Sequence, residues 1–183
     1  LCAYKVWGAD CLAHLNGMFA FALHDARNNT LFMARDRIGE KPLFYKILNG
    51  ELRFASELVP LIDDNSDSKL IDIDALDLYL SFGYVSGNNS IIKGINKLPA
   101  ANALLFDIRT GVSKSWKYWN LPQLEQSNNL EISKQELLLD ELEELLEDSV
   151  HRQMQADVPI GILLSGGVDS SLVTAMAVRK VNH

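Results

Sequence analysis

A chain of 183 residues, 48% hydrophobic and 22% charged, is long enough for one full domain or pieces of two, and its composition argues against disorder. Its net charge of −7 argues against a nucleic-acid partner, which needs a basic stripe to neutralise phosphates. No apolar run approaches the ~18–20 residues of a bilayer span, and "LCAYKVWGAD" at the start lacks a basic stretch followed by an apolar one, so neither a membrane span nor a secretory signal is expected.

The chain starts with Leu1 rather than Met, so it is expected to be a segment of a longer protein. Cys2 and Cys11 match no zinc or redox spacing, and two cysteines are too few for a disulfide framework. They read as reduced thiols of a cytosolic protein, and a cytoplasmic location is expected.

In chain order, "GMFAFALHD" (17–25) and "NTLFMARD" (29–36) are short apolar runs joined by a turn in which Asn28 and Asn29 suit positive φ. They predict a β-hairpin with buried strands. "PLFYKILNGELRFASE" (42–57) predicts a second hairpin, with Asn49-Gly50 as a type I′ turn. "DNSDSK" (64–69) reads as a polar loop. "DIDALDLYLSFGY" (72–84) predicts a helix capped by Asp72 or Asp74, ended by Gly83, with Leu76, Leu78, Tyr79 and Leu80 on its apolar face. "NALLFDIRTGVSKSWKYW" (102–119) predicts a third hairpin, turning at Thr110-Gly111.

The character then changes. Residues 121–150 hold nine acids against Lys134 alone, whereas residues 1–62 are nearly balanced, a shift that suggests a new domain. "LPQLEQSNNLEIS" has no period and reads as a linker. Ser133 and Glu136 form a capping box for an amphipathic helix with Leu138, Leu142, Leu145, Leu146, Ser149 and Met154 at spacings of three and four and a solvated acidic outer face. "VPIGILL" (158–164) predicts a buried strand of a parallel sheet, and "SSLVTAMAVRKV" (170–181) a further helix. Antiparallel β structure is thus expected to give way to the start of an α/β sheet.

Between the predicted strand and helix lies "SGGVDSS" (165–171). A strand ending in a Gly-rich turn that opens a helix suits an anion, because free N–H groups and the helix dipole face the ligand. Gly166 and Gly167 allow close backbone approach, and Ser165, Ser170 and Ser171 can donate hydroxyl hydrogen bonds. Asp169 would repel a phosphate unless a cation lay between, and Mg²⁺ fits one carboxylate plus phosphate oxygens. No Lys follows the glycines as in a Walker A loop, the glycines are adjacent unlike a dinucleotide fingerprint, and Leu163 replaces the first Gly of a nucleophile elbow.

What remains, S-G-G-x-D-S-S, resembles the PP-loop of ATP pyrophosphatases. "LNGMFAFALHD", "RDRIGEKPLFY" and "FASE" resemble the C-terminal half of a class II, N-terminal-nucleophile glutamine amidotransferase domain, and with "INKLPAANALLFD" and "YW" the stretch from about Leu15 to His183 resembles the glutamine-hydrolysing asparagine synthetase family. The resemblance implies an α+β glutaminase part (1–120), a linker (121–132) and the start of an α/β PP-loop domain of adenine nucleotide alpha hydrolase type (133–183). It implies glutamine, aspartate and ATP as substrates, with Mg²⁺. Ammonia from glutamine would reach a β-aspartyl-AMP formed with release of pyrophosphate.

Residue by residue, the resemblance places Leu164, Ser165, Gly166, Gly167, Asp169, Ser170 and Ser171 at ATP and its pyrophosphate, with Asp169 as the Mg²⁺ ligand through phosphate. Met18 matches an apolar position near the ammonia route, with a core methionine as the alternative. Arg35 and Asp36 read as a charged pair fixing a loop near a domain interface, or as an ordinary surface pair. The nucleophilic Cys is expected upstream of Leu1, so no catalytic residue is assigned here and the segment alone is expected to be inactive. His14, His24, His151 and His183 have no partner at catalytic or metal spacing. Two other readings stand beside the first: a relative acting on another carboxylate, such as a β-lactam synthetase, and a non-catalytic nucleotide-binding remnant. A homodimer is left open.

Overall fold

The computed structural model describes residues 1–62, 70–123 and 132–181, and of residues 132–134, 180 and 181 the backbone alone. The predicted loop at 64–69, residues 124–131 of the predicted linker, the Ser133 side chain of the capping box and His183 lie outside the described residues. The chain divides into two compact units, Leu1–Pro122 and Gln123–His183.

The first unit is α+β with antiparallel sheets. It opens with helix α1 (Cys2–Trp7) and a 3₁₀ segment (Gly8–His14), neither predicted from the sequence. Strands β1 (Ala20–Asp25) and β2 (Thr30–Arg35) form the first predicted hairpin, with Ala20 opposite Arg35 and Asp25 opposite Thr30. Of the two turn asparagines only Asn29 takes positive φ, at 56°. Asn28 instead donates its side-chain amide to Asp25 Oδ2 at 2.8 Å.

Strands β3 (Phe44–Leu48) and β4 (Glu51–Ala55) form the second hairpin, and Asn49 (φ 52°) with Gly50 (φ 78°) has the double positive φ of a type I′ turn. Helix α2 (Ile73–Phe82) follows, capped by the Asp72 carboxylate accepting from Ala75 N at 3.0 Å and ended by Gly83 in the left-handed region. Its predicted apolar face is only partly inward. Leu76 and Leu78 are half-buried beside buried Ala75, whereas Tyr79 and Leu80 are exposed. At 3.6 residues per turn, apolar residues at four of five successive positions must wrap around the helix. The short strand β5 (Asn96–Lys97), then β6 (Asn102–Asp107) and β7 (Ser113–Lys117), complete the unit.

The hairpins do not share one sheet. The orders are β1-β2-β6-β7 and β4-β3-β5. The alternation of two in β2 and β6 serves both faces of the larger sheet. Phe32, Ala34 and Ala103 pack with Cys11 and Leu12 of the 3₁₀ segment, while Met33, Leu104 and Phe106 pack with Leu43, Leu98, Tyr45 and Leu52 on the side of the smaller sheet. Trp116 stacks over Phe32, with ring centroids 6.1 Å apart. A sheet covered on both faces explains why its inner strands read as unbroken apolar runs.

The second unit holds α3 (Ile132–Gln153) and α4 (Val168–Val181), which begins two residues earlier than predicted. They meet where His151 Nε2 approaches the Met176 carbonyl at 3.2 Å and Arg179 pairs with Glu143. Leu138, Leu142 and Leu145 of the predicted α3 face remain exposed. The strand predicted at 158–164 is not formed: the segment has no ladder, and Leu163 is 95% exposed. A strand exists through its neighbours, and the described residues of this unit include no second strand to pair with it.

Candidate functional site

The S-G-G-x-D-S-S segment forms the turn that opens α4, and it is open to solvent. Gly166 takes φ +81°, a backbone that favours glycine. Gly167 precedes the first helical residue, and its carbonyl accepts from Ser171 N at 3.1 Å and from Ser170 Oγ at 3.1 Å. Ser165 Oγ lies 3.0 Å from Ser170 Oγ, and because the Ser170 proton is on the Gly167 carbonyl, Ser165 donates this hydrogen bond. The first-turn N–H groups of α4 have no intrahelical acceptor and carry the positive end of its dipole. The loop thus presents free backbone donors to an anion, while two serine hydroxyls are occupied with each other and would turn outward to meet one.

A Cβ at Gly167 would lie 3.7 Å from Ser165 Oγ, an ordinary contact. That glycine is therefore not demanded by the fold, and keeps its outer side clear. Asp169 sits exposed in the first turn of α4. Its oxygens are hard donors of the kind Mg²⁺ takes. Among the described residues no three His, Cys, Asp or Glu cluster as a cation site, so Asp169 would hold a metal only with phosphate oxygens and water completing the shell. Leu164, just before the loop, is exposed.

Arg35 and Asp36 are neither a surface pair nor an ion pair. Asp36 is 1% exposed, and its carboxylate accepts four backbone N–H groups, from Ile38 (3.2 Å), Gly39 (2.7 Å), Glu40 (3.0 Å) and Lys41 (3.0 Å). Arg35 donates to the carbonyls of Lys41 (2.7 Å), Leu98 (2.8 Å) and Gly39 (2.5 Å). Asp36 collects the loop's donors, and Arg35 takes the loop's acceptors together with the Leu98 carbonyl, which fixes residues 36–41 against the segment just after β5. Gly39 has φ +76°, and a Cβ there would come within 3.1 Å of the Arg35 guanidinium carbon. Burial alone would push the Asp36 carboxyl up, but the four N–H donors outweigh it and hold the group below the ordinary carboxylate range.

Sequence reasoning missed what this clasp also holds. Tyr118 Oη donates to the Arg35 carbonyl at 2.8 Å, and the Arg37 guanidinium stands 5.7 Å from the Trp119 ring centroid. Burial, aided by the Asp36 charge, pushes the Tyr118 phenol up to about 12. An alkaline absorbance titration should therefore show a tyrosine ionising about two units above the free phenol, absent in Tyr118→Phe. The neutral phenol is the favoured form in the fold. Its contribution to stability is complete below about pH 10 and is lost as pH rises toward 12.

The remaining candidates separate. Met18 is 53% exposed, which removes the reading of it as a core methionine. Cys11 is buried, and burial pushes its thiol up, the opposite of what a nucleophile needs. Cys2 is exposed. His14 stacks on Trp7 at 4.1 Å, and His24 is exposed. Among the described residues no helix is long and apolar enough to cross a membrane.

Residues 1–119 match the family model described as a glutamine amidotransferase domain, so the match begins upstream of Leu15, and residues 141–183 match the asparagine synthase model. A putative glutamine-hydrolysing asparagine synthetase of Methanocaldococcus jannaschii is 35% identical over 94% of this chain and 33% of its own length. Asparagine synthetase 3 of Bacillus subtilis is 35% identical over 96% of the chain and 28% of its own. A Penicillium rubens protein named "Amidase chyE" is 31% identical over 94% of the chain and 25% of its own. The chain therefore spans about a quarter to a third of the length of the curated relatives it matches. With an antiparallel α+β unit under the first match and the Gly-rich loop under the second, the chain belongs to the glutamine amidotransferase family, in the form that runs on into asparagine synthase sequence as in glutamine-hydrolysing asparagine synthetases.

Proposed function

We propose that this chain serves in an ATP-dependent amide synthase, most simply one that makes asparagine from aspartate with ammonia released from glutamine. The observation that carries the reading is the open turn at residues 165–171, set on the N-terminus of α4 within asparagine synthase sequence. A carboxylate is a poor acyl donor until one of its oxygens becomes a good leaving group. In the proposed reaction the aspartate side-chain carboxylate attacks the α-phosphorus of ATP. An O–P bond forms, the bond to the bridging oxygen breaks, and pyrophosphate departs. Ammonia then adds to the acyl carbon and AMP leaves with its oxygen.

In this reading the N–H groups around Gly166 and Gly167 hold the departing pyrophosphate, where charge accumulates as the bond breaks. Ser165, Ser170 and Ser171 add hydroxyl donors once turned outward, and Leu164 borders the nucleotide. Asp169 would hold Mg²⁺ together with phosphate oxygens, and the metal would supply neutralising charge. Met18, on the surface before β1, is assigned to the ammonia route. Neither Cys2 nor Cys11 is assigned to glutamine hydrolysis.

The test is an assay of the full-length parent with ATP, aspartate and glutamine. The expected result is aspartate-dependent pyrophosphate release with asparagine formed in step. Pyrophosphate release that depends on a different carboxylate would move the acceptor, a second reading favoured by the likeness to a protein named an amidase. Nucleotide binding without pyrophosphate release under any acceptor would reduce the chain to a binding remnant.

A further inference from the structure

Arg37 differs from its neighbours in the clasp. Arg35 and Asp36 spend their polar atoms on the loop, but Arg37 Nε is buried with no hydrogen-bond partner among the described residues. A buried donor without an acceptor costs stability, so hydrogen bonding is not what Arg37 contributes to the first unit. It contributes a flat cation over Trp119, 5.7 Å from the ring centroid. Trp119 is half-buried, whereas Asn120, Leu121 and Pro122, which follow it to the end of the unit, are exposed. The clasp also holds the residue before it. Tyr118 Oη donates to the Arg35 carbonyl at 2.8 Å. Tyr118 N donates to the Ala101 carbonyl at 2.9 Å, and Ala101 N donates to the Asp36 carbonyl at 2.8 Å. Residues 35–37 are thus tied to 118 and 119, where the chain leaves the unit.

We propose that Arg37 is a positioning residue: by holding Trp119 it fixes the exit of the chain from the glutamine amidotransferase unit, and so sets how much of the ammonia released from glutamine is used in amide synthesis. The inference rests on the reading above that glutamine hydrolysis and asparagine synthesis belong to one enzyme. Ammonia that escapes is lost to water as ammonium. Its transfer therefore tolerates a misplacement of about an ångström less well than either half-reaction does by itself. An anion-binding role fits Arg37 less well, because its Nε is closed to solvent and one face of the guanidinium is taken by the ring.

The full-length parent carrying Arg37→Gln, Trp119→Leu or both tests this. Hydrogen–deuterium exchange reads the anchor without turnover: the amides of residues 118–121 should exchange about fivefold faster in Arg37→Gln. With saturating glutamine, the glutamate released per asparagine formed should rise about tenfold in each single variant, while asparagine formation from added ammonia stays unchanged. The double variant should do no worse than either single one, as expected of two residues acting through one contact. Unchanged exchange, an unchanged glutamate-to-asparagine ratio or additive losses overturn the proposal. So does an equal fall with ammonia and with glutamine, which would mark a general loss of structure. A parent that makes no asparagine from either nitrogen source rejects the reading above and the transfer role with it. A parent active with ammonia but indifferent to Arg37 rejects the transfer role alone.

Discussion

Asp36→Ala should destabilise the first unit by about 3–5 kcal/mol, measured as a shift of the urea unfolding midpoint followed by tryptophan fluorescence. The substitution leaves four loop N–H groups, from Ile38 to Lys41, without their acceptor. Arg35 keeps its three carbonyl acceptors, so the loss falls on the donor side of the clasp. Asp36→Asn separates charge from shape. The amide oxygen can still accept, but its NH₂ would face a backbone N–H, so the loss should be about 1–3 kcal/mol. Because the folded carboxyl titrates below the ordinary range, its contribution is complete above the unfolded value near 4 and is lost as pH falls through the lower folded value. Wild-type stability should drop in that acid window, and the Asn variant should lack this part of the drop. Equal acid profiles would show that the clasp does not titrate as described.

The second large effect is expected at α4. In the full-length parent, Asp169→Ala should lower aspartate-dependent pyrophosphate release by about a hundredfold while thermal unfolding stays unchanged, since the side chain is exposed. Unchanged release would remove Asp169 from the metal-binding role. The two glycines supply an internal control. Gly166→Ala forces a side chain into φ +81° and should cost about 1 kcal/mol locally as well as activity. Gly167→Ala meets nothing closer than 3.7 Å, so it should spare the fold and weaken ATP binding alone. Equal stability losses at both positions would mean that neither glycine serves the ligand.

Local signals were legible in the sequence. The Asn49-Gly50 turn and the Asp72 and Gly83 caps of α2 each depend on a few consecutive residues, and each formed as read, whereas of the 165–171 motif the turn into a helix formed without the strand expected before it. Partnership was not legible. Nothing within 44–48 says that this strand joins β5 rather than the first hairpin, because pairing is decided by residues about fifty positions away. The 158–164 segment has strand composition, but composition does not provide a neighbour to pair with. Arg37 and Trp119 meet across more than eighty positions. The Asp36 clasp was half legible: an Asp followed three residues later by a Gly at a strand end is a known turn-forming pattern, although its fourfold acceptance is visible only in three dimensions.

The double-sided burial of β2 bears on how the chain finds its pairing. In most sheets a slip of one residue is punished because it turns apolar groups to water. Here the slip would only exchange Phe32 and Ala34 with Leu31 and Met33 between two greasy compartments. Polarity is therefore a weak referee of alignment in this sheet. Shape must do the discriminating: the compartment around Cys11 seats the flat Phe32 ring among the rings of Tyr4, Phe21 and Trp116, contacts that leucine and methionine cannot reproduce. The Asn29 turn adds a local constraint, since it sets Asp25 opposite Thr30 and with them the register of β1 on β2.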